Sequence, residues 1–246
     1  MLKYHKLTAF CLGLVFLVVV QKFATPAPVF RFLLPAFLAF AAAATLYNRW
    51  YLKQIGKYNF WLALRPVLLL CAAFGIFLFL PSEFSRNIFL LLTAGVIAFF
   101  EIILGNLAEN LLLNETLIVA FGLFESLAAV AQYIPNFGSL CLAGVFAASG
   151  LLARSFYEFL PQPETTKTLG ALLIGLFCAE FFWALNFLPW HFSVLGLLLF
   201  NFFYLLLILN YYYLFHTLSF KKLQFHLGLM AACTLLVLAA TPWGAL

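Results

Sequence analysis

The sequence predicts an all-α fold, a polytopic transmembrane helical bundle of about nine spans. Three observations lead there. Of 246 residues, 66% are hydrophobic and only 9% charged. The apolar residues fall into runs of membrane-spanning length, and the basic residues collect in alternate breaks between them. A soluble domain is about half apolar and a quarter charged. The 13 basic and 8 acidic side chains here cannot cover a water-soluble surface of this size, and the mean hydropathy is +1.10. A soluble globule, a disordered chain and a coiled coil are excluded. No polar stretch is long enough for a soluble domain, so residues 1–246 read as a single integral membrane domain.

A spanning helix needs about 20 mostly apolar residues, and the runs are taken on that basis. The first covers about 7–23, after Lys3, His5 and Lys6. With small residues at Ala24, Thr25 and Ala27 it also resembles a signal peptide, which would leave eight spans. Pro26 and Pro28 crowd the cleavage point and favour an uncleaved anchor. The second span runs about 29–47 and includes the alanines Ala41 to Ala44. Between Asn48 and Arg65, the basic residues Arg49, Lys53 and Lys57 recur at four-residue spacing, so one helical face carries all three. With Trp50 and Trp61 this segment reads as a lipid-interface helix, or as an ordinary loop.

The third span, 66–80, lies between Pro66 and Pro81. The fourth and fifth cover about 87–107 and 115–134, and Pro135, Asn136 and Gly138 then make a turn. The sixth, about 138–156, is rich in small residues; Gly144 and Ala148 form a small-x-x-x-small pair that admits a neighbouring backbone. The loop from Pro161 to Lys167 follows, then spans at about 168–188, 192–215 and 223–241.

With the N-terminus inside, the inner segments hold Lys3, Lys6, Arg49, Lys53, Lys57, Arg65, Arg154, Lys167, Lys221 and Lys222. The outer ones hold Lys22, Arg31 and Arg86. Ten basic residues against three fit the positive-inside rule for nine spans, with the N-terminus cytoplasmic and the C-terminus outside. Basic residues set singly beside apolar runs face lipid headgroups and argue against nucleic acid. The expected partners are the lipid bilayer and a second membrane protein.

Charges at bilayer depth cost about 2.5–3.5 kcal/mol each on insertion scales, so Glu101, Glu125 and Glu180 stand out. Glu125 is ten residues past Glu115, about 15 Å deeper along a helix. These carboxylates either line a path for an ion or small solute, or are protonated and hydrogen-bonded to neighbours such as Asn186 or Asn201. A second, inner-face group comprises Asn106, Glu109, Asn110 and Glu115, with His216 at the end of the eighth span. Carboxylates beside amides suit oxygen-ligated cations, but this spacing equally describes the caps of a polar turn. His216 and His226 flank Lys221-Lys222 and read as solvated loop histidines; Tyr211 to Tyr213 read as an interfacial belt.

Catalytic templates are missing. Ala147-Ala148-Ser149-Gly150 lacks the first glycine of a rhomboid-type Gly-x-Ser-Gly. There is no Glu-Glu pair, no H-E-x-x-H and no phosphate-binding glycine loop. Cys11, Cys71, Cys141, Cys178 and Cys233 form no C-x-x-C, so neither a zinc site nor a redox pair is expected. No metal and no cofactor are expected, and an enzymatic role is disfavoured.

The block Ala179-Glu180-Phe181-Phe182-Trp183-Ala184-Leu185-Asn186-Phe187-Leu188-Pro189, with Asn201-Phe202-Phe203-Tyr204 and the basic loop after it, resembles uncharacterised polytopic membrane proteins of candidate-phylum bacteria. The likeness covers the last third of the chain. It implies a bacterial inner (cytoplasmic) membrane location, draws attention to Glu180, Trp183 and Pro189, and implies no activity. Three functions remain open: transport or permeation of a small solute or ion past the glutamates, a structural component of an envelope complex, and an intramembrane enzyme on a lipid-linked substrate using Glu109, Glu115 and His216.

Overall fold

The computed structural model of the chain describes residues 33–54, 60–80, 83–104, 109–134, 136–158, 160–215 and 219–240. Every regular element among them is a helix: α1 (Leu33–Gln54), α2 (Phe60–Phe79), α3 (Glu83–Leu104), α4 (Glu109–Tyr133), α5 (Gly138–Tyr157), α6 (Glu164–Leu185), α7 (Phe192–Leu214) and α8 (Phe220–Ala240). Each coincides with one of the second to ninth expected spans. The first, at 7–23, lies outside the described residues. Five helices are long and apolar enough to cross a membrane: Leu113–Tyr133, Gly138–Tyr157, Glu164–Leu185, Phe192–Leu214 and Phe220–Ala239. Val67–Phe79 and Arg86–Val96 are shorter apolar segments. The fold is therefore all-helical and built for a membrane, with five candidate spans among the described residues where the sequence suggested about nine.

The chain divides into two compact units, Met1–Glu115 and Thr116–Leu246. In the first, α2 packs on α1 and on α3. The separate interfacial helix expected over 48–65 is replaced by two helix ends. Residues 48–54 complete α1, and Phe60 to Arg65 form the first turns of α2. Pro66 thus falls inside α2 rather than at its start. One missing backbone N–H is tolerated where a membrane bundle re-satisfies the freed carbonyl. Arg86 of α3 donates to the Leu80 carbonyl at 3.0 Å and lies over the Phe77 ring, closing the end of α2. At the other end of α2, Arg65 reaches Glu115 at 2.7 Å, and both side chains are buried. A buried charge without its partner costs several kcal/mol, so this pair fixes where α2 meets the start of α4.

In the second unit, α5 lies along α6, α6 along α7 and α7 along α8. The turn before α5 places Asn136 at φ 70°, a left-handed conformation that asparagine tolerates better than most residues. Gly144 lets α4 approach: a Cβ there would sit 2.9 Å from a Leu127 methyl. Gly175 does the same on α6, where a Cβ would meet the Phe146 carbonyl oxygen of α5 at 2.8 Å. The backbone approach expected at Gly144 of α5 is found instead at Gly175 of α6, while Gly144 faces the Leu127 side chain. Aromatic pairs between α4 and α7, Phe121 with Phe200 and Phe124 with Phe203, complete the core. At one end of α5 and α6, buried Arg154 pairs with Glu158 and Glu164, and buried Lys167 with Glu164. Gln162 donates to the Leu214 carbonyl at the end of α7.

Candidate functional site

Polar side chains inside the second unit converge on α7. From its first turn onward, Ser193, Asn201, Tyr204 and Tyr212 lie within an arc of about 100° on a helix of 3.6 residues per turn. They extend over about 28 Å at 1.5 Å per residue, close to the roughly 30 Å hydrocarbon thickness of a bilayer. Each has a partner on a neighbouring helix. Near the start of α7, the Glu125 carboxyl of α4 lies beside Ser193. Its carboxyl rests against Gly196, where an added Cβ would lie 2.9 Å from Glu125 Cα, Cδ and Oε1. Only a glycine admits the carboxylate at that point. Gly196 is four residues from the start of α7, about 6 Å along its axis.

Further along, Asn201 is buried and donates to Thr234 Oγ1 of α8 at 3.3 Å. Its partner is neither Glu180 nor Glu125. One turn on, Tyr204 Oη lies 2.8 Å from His226 Nδ1, and Tyr212 Oη lies 3.3 Å from His226 Nε2. The Lys222 ammonium sits 4.8 Å above the Tyr212 ring. His226 is consequently not a solvated loop residue. α8 begins at Phe220, which places His226 in its second turn facing α7. The spacing Lys222, His226, Thr234 (four, then eight residues) puts all three on one helical face, a signal present in the sequence.

The other expected site residues fall elsewhere. Glu180 lies on the exposed face of α6, beside Leu176, Phe177 and Trp183. Glu125 is instead turned into the α4–α7 contact at Gly196. Asn186 is exposed beyond the end of α6, where its amide donates to the Phe182 carbonyl at 2.8 Å. Of Glu101, Glu109 and Asn110 only the helical backbone is described, and Asn106 and His216 lie outside the described residues. Glu115 is engaged by Arg65 at 2.7 Å. Arg49, Trp50 and Lys53 are exposed on the last turns of α1 and Trp61 is partly exposed on the first turn of α2; Lys57 lies outside the described residues. Among the described residues no group of His, Cys, Asp and Glu could hold a metal ion, and Cys71, Cys141, Cys178 and Cys233 are free thiols.

Two further polar contacts were not anticipated. The Cys178 thiol lies beside Ser149 between α5 and α6. Tyr157, fully buried, faces Asn210 of α7, next to Gly170, where a Cβ would meet Asn210 Nδ2 at 2.8 Å. Both lie between packed helices. Neither joins the stripe on α7, because Asn210 lies on a different side of that helix from Tyr204 and Tyr212. Family models, curated proteins and solved structures offer no match to this chain.

Proposed function

We propose that the chain is a multi-pass protein of a bacterial inner membrane that passes a small cation or polar solute along the inward stripe of α7. The observation that carries this is that polar contacts recur along one face of α7, Glu125 with Ser193 near its start and, beyond the apolar residues 194–200, Asn201 with Thr234 and then Tyr204, His226 and Tyr212. Burying polar groups in series across hydrocarbon is costly, and intramembrane ionisable residues turned into a bundle mark ion and substrate pathways. Of the three deep glutamates, Glu125 belongs to this path, with Asn201. The charge bias of the loops supports nine spans with the N-terminus cytoplasmic, because the Lys221-Lys222 and Arg154 to Lys167 segments then share the inner side.

A second reading follows from Glu180. A carboxyl group on an apolar, outward face, five residues before the end of α6, is unfavourable toward lipid, which supports a partner helix in an envelope complex covering that face of α6. The two readings separate in one experiment. The purified protein is reconstituted in vesicles, and influx of H⁺, Na⁺ and K⁺ is followed for the wild type, Glu125→Gln and Glu180→Gln. The path reading expects flux that falls to background in Glu125→Gln and persists in Glu180→Gln. Flux no greater than that of protein-free vesicles for every ion would overturn it. The assembly reading expects Glu180→Gln to lose a partner that co-purifies with the wild type in mild detergent.

A further inference from the structure

The α7–α8 seam has a feature that a general polar path does not require. Its central group, His226, meets a different tyrosine hydroxyl at each ring nitrogen, Tyr204 at Nδ1 and Tyr212 at Nε2. Those tyrosines are eight residues apart, about 12 Å along the helix axis. Only a side chain with two opposed polar ends, placed between them, bridges that interval. Neutral imidazole presents one donor and one acceptor nitrogen, so it takes up a proton on one side while releasing another from the opposite side. The end of the seam carries a fixed cation, with Lys222 stacked on the Tyr212 ring. A metal cation entering there meets like charge and a row of hydroxyls too few to replace its hydration shell. A proton crosses the same row by exchanging bonds.

We propose that the species carried is the proton, and that His226 relays it between Tyr212 and Tyr204. This rests on the path reading above and narrows its substrate. In the step, Tyr212 gives its hydroxyl proton to the bare Nε2 of the ring and receives a replacement from the Lys222 end. The imidazolium so formed releases the proton on Nδ1 to the Tyr204 oxygen, and Tyr204 passes its own proton toward Asn201 and Thr234. One proton moves across; only O–H and N–H bonds form and break, and nothing is oxidised or reduced. The ring ends in the other tautomer, and a water molecule that takes the proton from Nε2 and returns one to Nδ1 restores the first. The groups facing His226 and its partners are Tyr204 and Tyr212 on α7 and Lys222, Phe225 and Cys233 on α8.

The test uses the full chain in vesicles holding a pH-sensitive dye, with proton entry driven by a potassium diffusion potential and parallel tracer arms for Na⁺ and K⁺. His226→Gln is the informative variant: glutamine offers a donor and an acceptor to the two tyrosines, but it does not take up and release a proton. The expected result is acidification by the wild type that slows in D₂O, and loss of proton flux in His226→Gln and in Tyr204→Phe. Both variants are checked for wild-type helicity and a single elution peak. If His226→Gln does not fold, Tyr204→Phe carries the test. Proton flux unchanged in the folded variants overturns the relay and leaves the path. Flux of Na⁺ or K⁺ without protons overturns the proton assignment and also leaves the path. No flux of any ion overturns both.

Discussion

Replacing Gly196 with alanine tests the geometry of the site without removing any of its polar atoms. The added Cβ would lie 2.9 Å from Glu125 Cα, Cδ and Oε1, where ordinary contact begins at 3.4 Å. The carboxyl group can rotate away, but the Cα cannot, so α4 and α7 must separate. Forcing an extra carbon into a packed interior costs about 1–3 kcal/mol. Alanine in place of a helical glycine returns up to about 1 kcal/mol. The net expectation for Gly196→Ala is a loss of about 1 kcal/mol. Gly228 of α8 is the internal control, because nothing lies within 4 Å of a Cβ placed there. Gly228→Ala should keep the propensity gain alone, up to about 1 kcal/mol, which separates the two variants by about 2 kcal/mol. Both are measured by reversible unfolding in mixed micelles with increasing SDS. A Gly196→Ala protein as stable as Gly228→Ala would refute the close approach of Glu125 to α7.

Further predictions follow from the same packing. Arg65→Ala or Glu115→Ala, each leaving a buried charge alone, should destabilise the protein by about 3–5 kcal/mol in that unfolding assay, whereas the apolar double replacement Arg65→Met with Glu115→Leu should cost much less. A double-mutant cycle of Asn201→Ala with Thr234→Ala should give a coupling near 0.6 kcal/mol, the average for hydrogen bonds between membrane helices; a coupling of zero would dissolve that contact. In gentle detergent an alkylating reagent should modify exposed Cys71 before buried Cys141 and Cys178, as read by peptide mass spectrometry, and an inverted order would contradict the packing of α5 and α6.

Helix positions were legible because hydropathy measures what a bilayer selects. The turn at Asn136, the start of α7 at Phe192 and the breaks around Pro161 and Pro189 all follow from residue chemistry. The ends beside α1 and α2 were misplaced for a physical reason. Arg49, Lys53 and Arg65 read as a break in hydropathy, but a helix continues through charges that reach headgroups or, like Arg65, find a buried acid. The site was legible only in part. Counting charge by depth picked out Glu125 and Glu180 alike, since depth says nothing of which face a residue occupies. Asn201 was recognised as buried and polar, but its partner Thr234 is a mild residue on another helix. His226 was hidden by its neighbours Lys221 and Lys222, which mimic a loop although they form the first turn of α8. Gly196 left no mark in hydropathy, because its role lies in the space it leaves to Glu125.

The central claim is that a polar, water-accessible line follows one face of α7. With the native cysteines replaced by alanine, single cysteines at Ser193, Leu197 and Asn201 on that face, and at Leu199 in the buried core away from it, can be exposed to a small water-soluble thiosulfonate in native membranes. The account predicts modification of Ser193→Cys, Leu197→Cys and Asn201→Cys and protection of Leu199→Cys. Stripe positions as unreactive as Leu199→Cys would contradict it.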